Sequence, residues 1–373
     1  MEGLFFMKFC NLFFIYKTLI FISMSSRINP SGQGGKTMSE ITKVVLDAMG
    51  GDNAPVEMIK GAVEALDREK NVKVFLVGKE EIIKNELTKY TYDKERIEVV
   101  NATEVIETAE PPVNAIRRKK DSSIVVGMKM VKNGEADAFV SAGSSGAVLV
   151  GGQTIVGRIK GVERPPLAPL IPTAKGVSLL VDCGANVDAR SSHLVQFAKM
   201  GSIYMENIVG IKNPKVGIVN IGAEEEKGNA LVKETFPLLK EAKDINFVGS
   251  VEARDIPNGD VDVIVCEAFT GNVILKLMEG LASTLVKLLK DGMMSSTRSK
   301  VGALLVKPAI KGTMKMFDTS EHGGAPLLGL KGLVVKTHGS STSVEIANSI
   351  IQCIAFKEQK INEKIQECIQ TED

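Results

Sequence analysis

From Lys43 onward, short apolar runs alternate with longer stretches in which apolar residues recur every three or four positions. The short runs at Lys43–Met49, Val72–Gly78, Ala136–Gly143, Val177–Gly184, Lys215–Gly222, Asn246–Val251, Val261–Glu267 and Leu333–Gly339 predict strands. Ala54–Glu69 carries Val56, Ile59, Val63 and Leu66 at helical spacing, and Lys79–Lys89, Ser145–Lys160, Ser191–Ile208, Asn229–Lys243 and Gly271–Asp291 also predict helices. Near-continuous apolar strands alternating with helices predict an α/β fold, a Rossmann-like three-layer α/β/α arrangement with a mainly parallel sheet covered on both faces. Gly292–Phe317, rich in Met, Gly and basic residues, is the least regular stretch and reads as an inserted excursion.

The first 37 residues do not share this pattern. Phe9–Met24 is apolar but interrupted by Asn11 and Lys17, and it is short for a membrane span. No clean small-residue cleavage pattern follows it. Residues 1–37 therefore read as a leader outside the native protein, with translation beginning at Met38 and residues 38–373 forming a single α/β domain. The whole chain has a net charge of +1; without Lys8, Lys17, Arg27, Lys36 and Glu2 it is −2. No global field points to nucleic acid. The five cysteines are scattered and form no CxxC pair, which excludes a disulfide framework or zinc site and suits a reducing cytoplasm. With only three histidines, a His-rich metal centre is not expected.

Candidate chemistry sits where predicted strands end. Six Gly-rich or polar loops lead toward helices: Asp47–Pro55, Ser141–Gly146, Asp182–Asp188, Asn220–Gly222 with Lys227–Asn229, Phe269–Asn272 and His338–Ser341. In parallel α/β sheets ligands bind at the carboxyl ends of strands. Free N–H groups at helix starts favour an anion there, and phosphate is the natural one. Singly, each loop is ordinary turn chemistry; together they favour a phosphate-handling cleft. Neither a P-loop lysine motif nor GxGxxG follows the first strand, which disfavours a nucleotide.

The motifs DAMGGDNAP, NIGAEEEKGN, VEARDI, FTGN, GGAPLLG and HGSS, in that order, resemble the PlsX family of phosphate acyltransferases, from about Lys43 to the final helix. The resemblance implies a sheet related to those of phosphotransacetylases and isopropylmalate-type dehydrogenases, with an inserted helical hairpin. It implies transfer of a fatty acyl group from acyl carrier protein to inorganic phosphate. The acyl phosphate would feed phospholipid synthesis through a glycerol-3-phosphate acyltransferase. It also implies a homodimer; no cofactor or metal is expected. A thioester is already activated, so held phosphate can attack it directly, and the site need only position the anion and stabilise an oxyanion.

By the resemblance, Lys227 and Asn272 form the catalytic pair, the first as the cation for phosphate and the second as an amide donor to the oxyanion. Local sequence alone also allows Lys227 to be a solvated partner of Glu224, Glu225 and Glu226, and Asn272 to be a helix N-cap. The phosphate-binding positions expected from the loops are Asp47, Gly50, Gly51, Asn53, Ser144, Ser145, Gly146, Asn186, Gly271, His338 and Ser340. Asp47, Asp52, Asp182 and Asp188 read mainly as loop organisers, since bare carboxylates repel phosphate. The chain departs from the family pattern at Ser144-Ser145, Cys183, Glu267-Ala268 and His322, and the longer acid at 267 puts its role in question. Cys183 and Cys266 read as core.

Two basic features suggest partners. Arg117-Arg118-Lys119-Lys120 suits an acidic carrier protein, or is a solvated helix face. Residues 287–316 hold seven basic residues against Asp291 alone, interleaved with apolar groups such as Leu304, Leu305 and Val306. Such a segment can rest on an anionic membrane surface or pack on a second subunit. The expected localisation is cytoplasmic with peripheral membrane contact. The rival readings are a CoA-dependent phosphotransacetylase for small acyl groups, an isopropylmalate-type dehydrogenase, for which no motif set is present, and a non-catalytic membrane scaffold.

Overall fold

The computed structural model describes residues 40–315 and 319–370. Residues 1–37, read above as a leader, and Met316 and Phe317 lie outside these.

Among the described residues, eleven strands form two sheets. The first contains β1 (Thr42–Asp47), β2 (Val72–Gly78), β3 (Ile97–Asn101), β4 (Ala138–Ser141), β10 (Ala325–Leu327) and β11 (Leu333–Lys336), in the order β10-β11-β4-β1-β2-β3. The second contains β5 (Leu170–Thr173), β6 (Gly176–Val181), β7 (Lys215–Asn220), β8 (Asn246–Glu252) and β9 (Val263–Val265), in the order β5-β6-β9-β7-β8. All neighbouring pairs are parallel except the edge pairs β10–β11 and β5–β6. The helices are α1 (Val56–Arg68), α2 (Glu80–Leu87), α3 (Pro112–Arg118), α4 (Ser123–Lys132), α5 (Ser145–Gly151), α6 (Ser191–Tyr204), α7 (Ala230–Glu241), α8 (Ala268–Met294), α9 (Thr297–Lys315), α10 (Ser343–Glu358) and α11 (Ile361–Gln370).

The α/β, mainly parallel class read from the sequence is what the chain adopts, with its strands divided between two sheets. The chain leaves the first sheet after β4, builds the second, and returns through β10 and β11. Periodicity records which face a residue takes, not which strand it pairs with. Three edge strands were not predicted, β3, β5 and β10, and two of them carry a proline, Pro172 in β5 and Pro326 in β10. Proline removes a ladder donor and is confined to edges, so it hides a strand from pattern reading.

Alternation along the strands builds the layers. In the first sheet Val44, Leu46, Val74, Leu76, Val140 and Val335 enter one core, while Val45, Phe75, Val77, Phe139 and Val334 enter another on the opposite face. In the second sheet Leu179, Val181, Val216, Ile218, Val263 and Val265 join the first of these cores, together with Phe197 and Tyr204 of α6. A single apolar layer thus runs beneath both sheets and fixes one against the other. Tyr204, fully buried, receives a hydrogen bond from Gln352 Nε2 of α10 at 2.7 Å within that layer.

The stretch from Gly292, irregular by local pattern but part of a helical hairpin by the resemblance, is largely helical. It forms α9 and the end of α8, and the two helices pack together as a hairpin. The excursion also starts earlier than the basic stretch, since Leu277 of α8 is already 66% exposed. The apolar residues of α9 are not gathered onto a face covered by the rest of the chain, which is why helical periodicity did not stand out there.

Candidate active site

At the carboxyl edge of the first sheet, the loops after β1, β4 and β11 interlock. Asp52 N–H donates to Gly339 O (2.7 Å), and Asn53 Nδ2 donates to Ser340 O (3.1 Å) and Ser341 O (3.3 Å). Gly51 takes φ +101°, and a side chain there would meet Ala142 Cβ at 2.8 Å. A Cβ on Gly50 would meet Gly143 N at 2.7 Å and Asp47 Oδ2 at 2.4 Å. Asp47, 1% exposed, accepts from Ser141 Oγ (2.7 Å) and Met49 N–H (3.1 Å), and burial pushes its pKa up. Its carboxyl is thus engaged within the loops of this edge.

Ser144, buried, caps α5 by accepting from Ala147 N–H (3.4 Å), which leaves Ser145 exposed at the helix start. Gly146 packs against Pro112 of α3. His338 is exposed, with Nδ1 2.7 Å from Ser340 Oγ. The third loop is fixed from outside: Glu57 of α1 accepts from Ser343 N–H at the start of α10 (2.6 Å).

The second sheet builds a matching edge from the loops after β6, β9 and β7, which are adjacent strands. Asp182, fully buried, accepts from the N–H groups of Leu167 (2.9 Å), Ala185 (3.2 Å) and Asn186 (2.8 Å) and from Asn186 Nδ2 (2.8 Å). Asn186 also donates to Pro165 O (2.9 Å), so its side chain shapes the loop from within. Gly271 lies directly on this loop; a Cβ there would sit 1.9 Å from Asp182 O. Glu267 caps α8 by accepting from Phe269 N–H (2.6 Å) and Thr270 N–H (2.9 Å). The acid at 267 is therefore the helix cap. Cys183 and Cys266 are buried beneath these loops, and burial raises both thiols well above their usual range, against a nucleophilic role.

Asn272 is exposed in the second turn of α8, and among the described residues its side chain makes no hydrogen bond. With Glu267 as the cap, the alternative of Asn272 as N-cap falls away. Lys227 lies on the loop after β7, just before Gly228 at φ +108° and Asn229, which caps α7 by accepting from Val232 N–H (2.9 Å). Its side chain is 50% exposed and pairs with Glu224 Oε2 at 2.9 Å. The hydrogen bond with Glu224 raises the Lys227 pKa, so it stays a cation through neutral pH. The glutamate pairing considered for it is thus present, on a side chain free enough to turn to a ligand.

The two edges meet along a seam. Leu167 holds the Asp182 loop through its N–H and accepts from Cys183 N–H (3.1 Å), while bridging to Leu327 of β10. Lys276, one turn beyond Asn272, lies near enough for its charge to bear on Cys183 of the second edge and on Lys336 of the first. Two surface clefts of about 340 and 400 Å³ lie elsewhere and contain no candidate residue. Among the described residues no group of three or more His, Cys, Asp or Glu is arranged to hold a metal.

The fold is that of the phosphotransacetylases. One from Streptococcus pyogenes matches with a TM-score of 0.58 at 17% identity, over 91% of this chain and 98% of that one. The EutD phosphotransacetylase of Staphylococcus aureus gives 0.55 at 17% identity, over 84% and 94%. Residues 42–364 match the family described as fatty acid synthesis protein. The chain is 55% identical over 325 residues to the phosphate acyltransferase of Alkaliphilus oremlandii, covering 87% of this chain and 96% of that one. It is 52% identical over 328 residues to that of Clostridium novyi, covering 88% and 98%. The chain belongs to this family of phosphate acyltransferases and is an acyltransferase.

Proposed function

We propose that the chain transfers a long-chain fatty acyl group from the thioester of acyl carrier protein to inorganic phosphate, giving acyl phosphate for phospholipid synthesis. The observation that carries this reading is the pair of loop edges joined at the Leu167–Leu327 bridge, with an uncommitted side-chain amide, Asn272, and a half-exposed cation, Lys227, on the second. A phosphate oxygen attacks the thioester carbon, the C–O bond forms, and the C–S bond breaks as the tetrahedral intermediate collapses to acyl phosphate and a thiolate. Asn272 donates its amide N–H to the oxyanion, and Lys227 turns from Glu224 to neutralise phosphate. The test is donor preference: palmitoyl-carrier protein should give acyl phosphate at far higher kcat/KM than acetyl-CoA. The reverse preference would make the chain a small-acyl phosphotransacetylase.

The basic cluster is the proposed carrier-protein dock. Arg117 and Arg118 are exposed on α3, which packs on the start of α5 beside the first loop edge, whereas Lys119 is held by Glu110 at 2.5 Å. Reversing both arginines to glutamate should raise the KM for acyl-carrier protein at low salt, with the difference fading at high salt. An unchanged KM at low salt would remove this surface.

The hairpin is proposed to pair with a second copy and to rest on an anionic membrane. Leu277, Leu281, Leu285 and Leu288 recur along α8 with exposures of 66%, 55%, 51% and 61%, and Leu304 and Leu305 of α9 reach 72% and 77%. No helix among the described residues is long and apolar enough to cross a membrane. Leu281→Glu with Leu285→Glu should yield monomers in sedimentation, and Leu305→Glu should weaken flotation with anionic vesicles. Unchanged mass or unchanged flotation would sink the corresponding half of this proposal.

A further inference from the structure

Lys336 ends β11 and is only 8% exposed, at the point where β11 and β4 release the loops of the first edge. Its Nζ donates to Ala142 O (3.5 Å) and to Thr337 O, the two carbonyls from which those loops depart. Among the described residues no carboxylate oxygen comes within ion-pair distance of it. The charged groups that bear on it are Glu345 of α10, Asp47 at the end of β1, Asp52 of the following loop, and Lys276 of α8. Asp47, the buried one of these acids, has its own pKa raised by burial and is engaged by Ser141 Oγ and Met49 N–H. A buried ammonium held only by carbonyls is costly unless an anion neutralises it.

We propose that Lys336 is a positioning residue for phosphate, a cation set beneath the Ser141–Ser145 and His338–Ser341 loops that balances an anion bound on them. This rests on phosphate being the acyl acceptor. Burial lowers its pKa to about 8, with Glu345 and Asp47 acting in the opposite direction. The charge is therefore present below about pH 8 and lost above it, and anion affinity follows the same sign.

The test is titration calorimetry on the full chain with inorganic phosphate alone, and with sulfate, which does not titrate in this range, as a second probe. Wild-type affinity for both should fall about tenfold between about pH 7 and about pH 9, as expected for one lysine titrating near 8. Lys336→Met should bind both ions about tenfold more weakly at neutral pH and lose that pH dependence. Its melting temperature should be no lower than wild type, because it removes an uncompensated buried charge. A lysine that merely ties the loops would give a lower melting temperature and leave the pH profile in place. Sulfate affinity constant across this range in wild type would overturn the proposal even if Lys336→Met fails to fold. No acyl donor is present, so failure of acyl transfer would count against the proposed function alone.

Discussion

Asn272 and Gly271 are neighbours with opposite demands. Gly271 has no room for a side chain against Asp182 O, whereas the Asn272 side chain is exposed and makes no hydrogen bond among the described residues. Asn272→Ala should therefore leave thermal stability unchanged while lowering kcat by about 10²–10³, the usual loss for one oxyanion donor. A drop in stability matching the drop in rate would assign Asn272 a structural role instead. The FTGN motif made both residues visible in the sequence, but not the contrast between them, which depends on how closely α8 approaches the Asp182 loop. Lys336 was not visible at all. A lysine at the end of a strand reads as solvated, and only the convergence of β1, β4 and β11 encloses it.

At the scale of elements, the loops are held by caps that cross from one segment to another. Glu267 fixes the start of α8, so Glu267→Ala should cost about 1 kcal/mol in urea unfolding. Glu267→Asp should restore most of it, because aspartate is also a good cap. A loss of activity in Glu267→Asp at full stability would instead point to a role for the carboxylate in the chemistry. The strong local patterns, α1 and β2 among them, were legible because a helix with one buried face repeats every three or four residues and a strand buried on both faces reads as an unbroken apolar run. The first helix of the hairpin was legible as Gly271–Asp291, and the hairpin itself through the resemblance, but local pattern did not show the helicity of α9, which buries no apolar stripe against the two sheets. Glu57, which holds the N–H of Ser343, lies 286 residues away along the chain, and no local pattern could reveal that contact.

At the scale of the whole molecule, the partition into two sheets makes the site. Strand ends that follow one another in sequence are sorted onto two edges, and the Leu167–Leu327 bridge with the shared apolar layer holds those edges together. The loops could be read from the sequence as a set, but their division into two halves depends on strand order, which residue patterns do not encode. The central claim is that both edges serve one anion. The most direct measurement is a crystal structure grown in phosphate. The anion should lie between the Ser141–Ser145 and His338–Ser341 loops on one side and Lys227 and Asn272 on the other, with the Lys227–Glu224 pair opened. A phosphate bound on one edge alone, with Lys227 and Asn272 beyond hydrogen-bond reach, would contradict it.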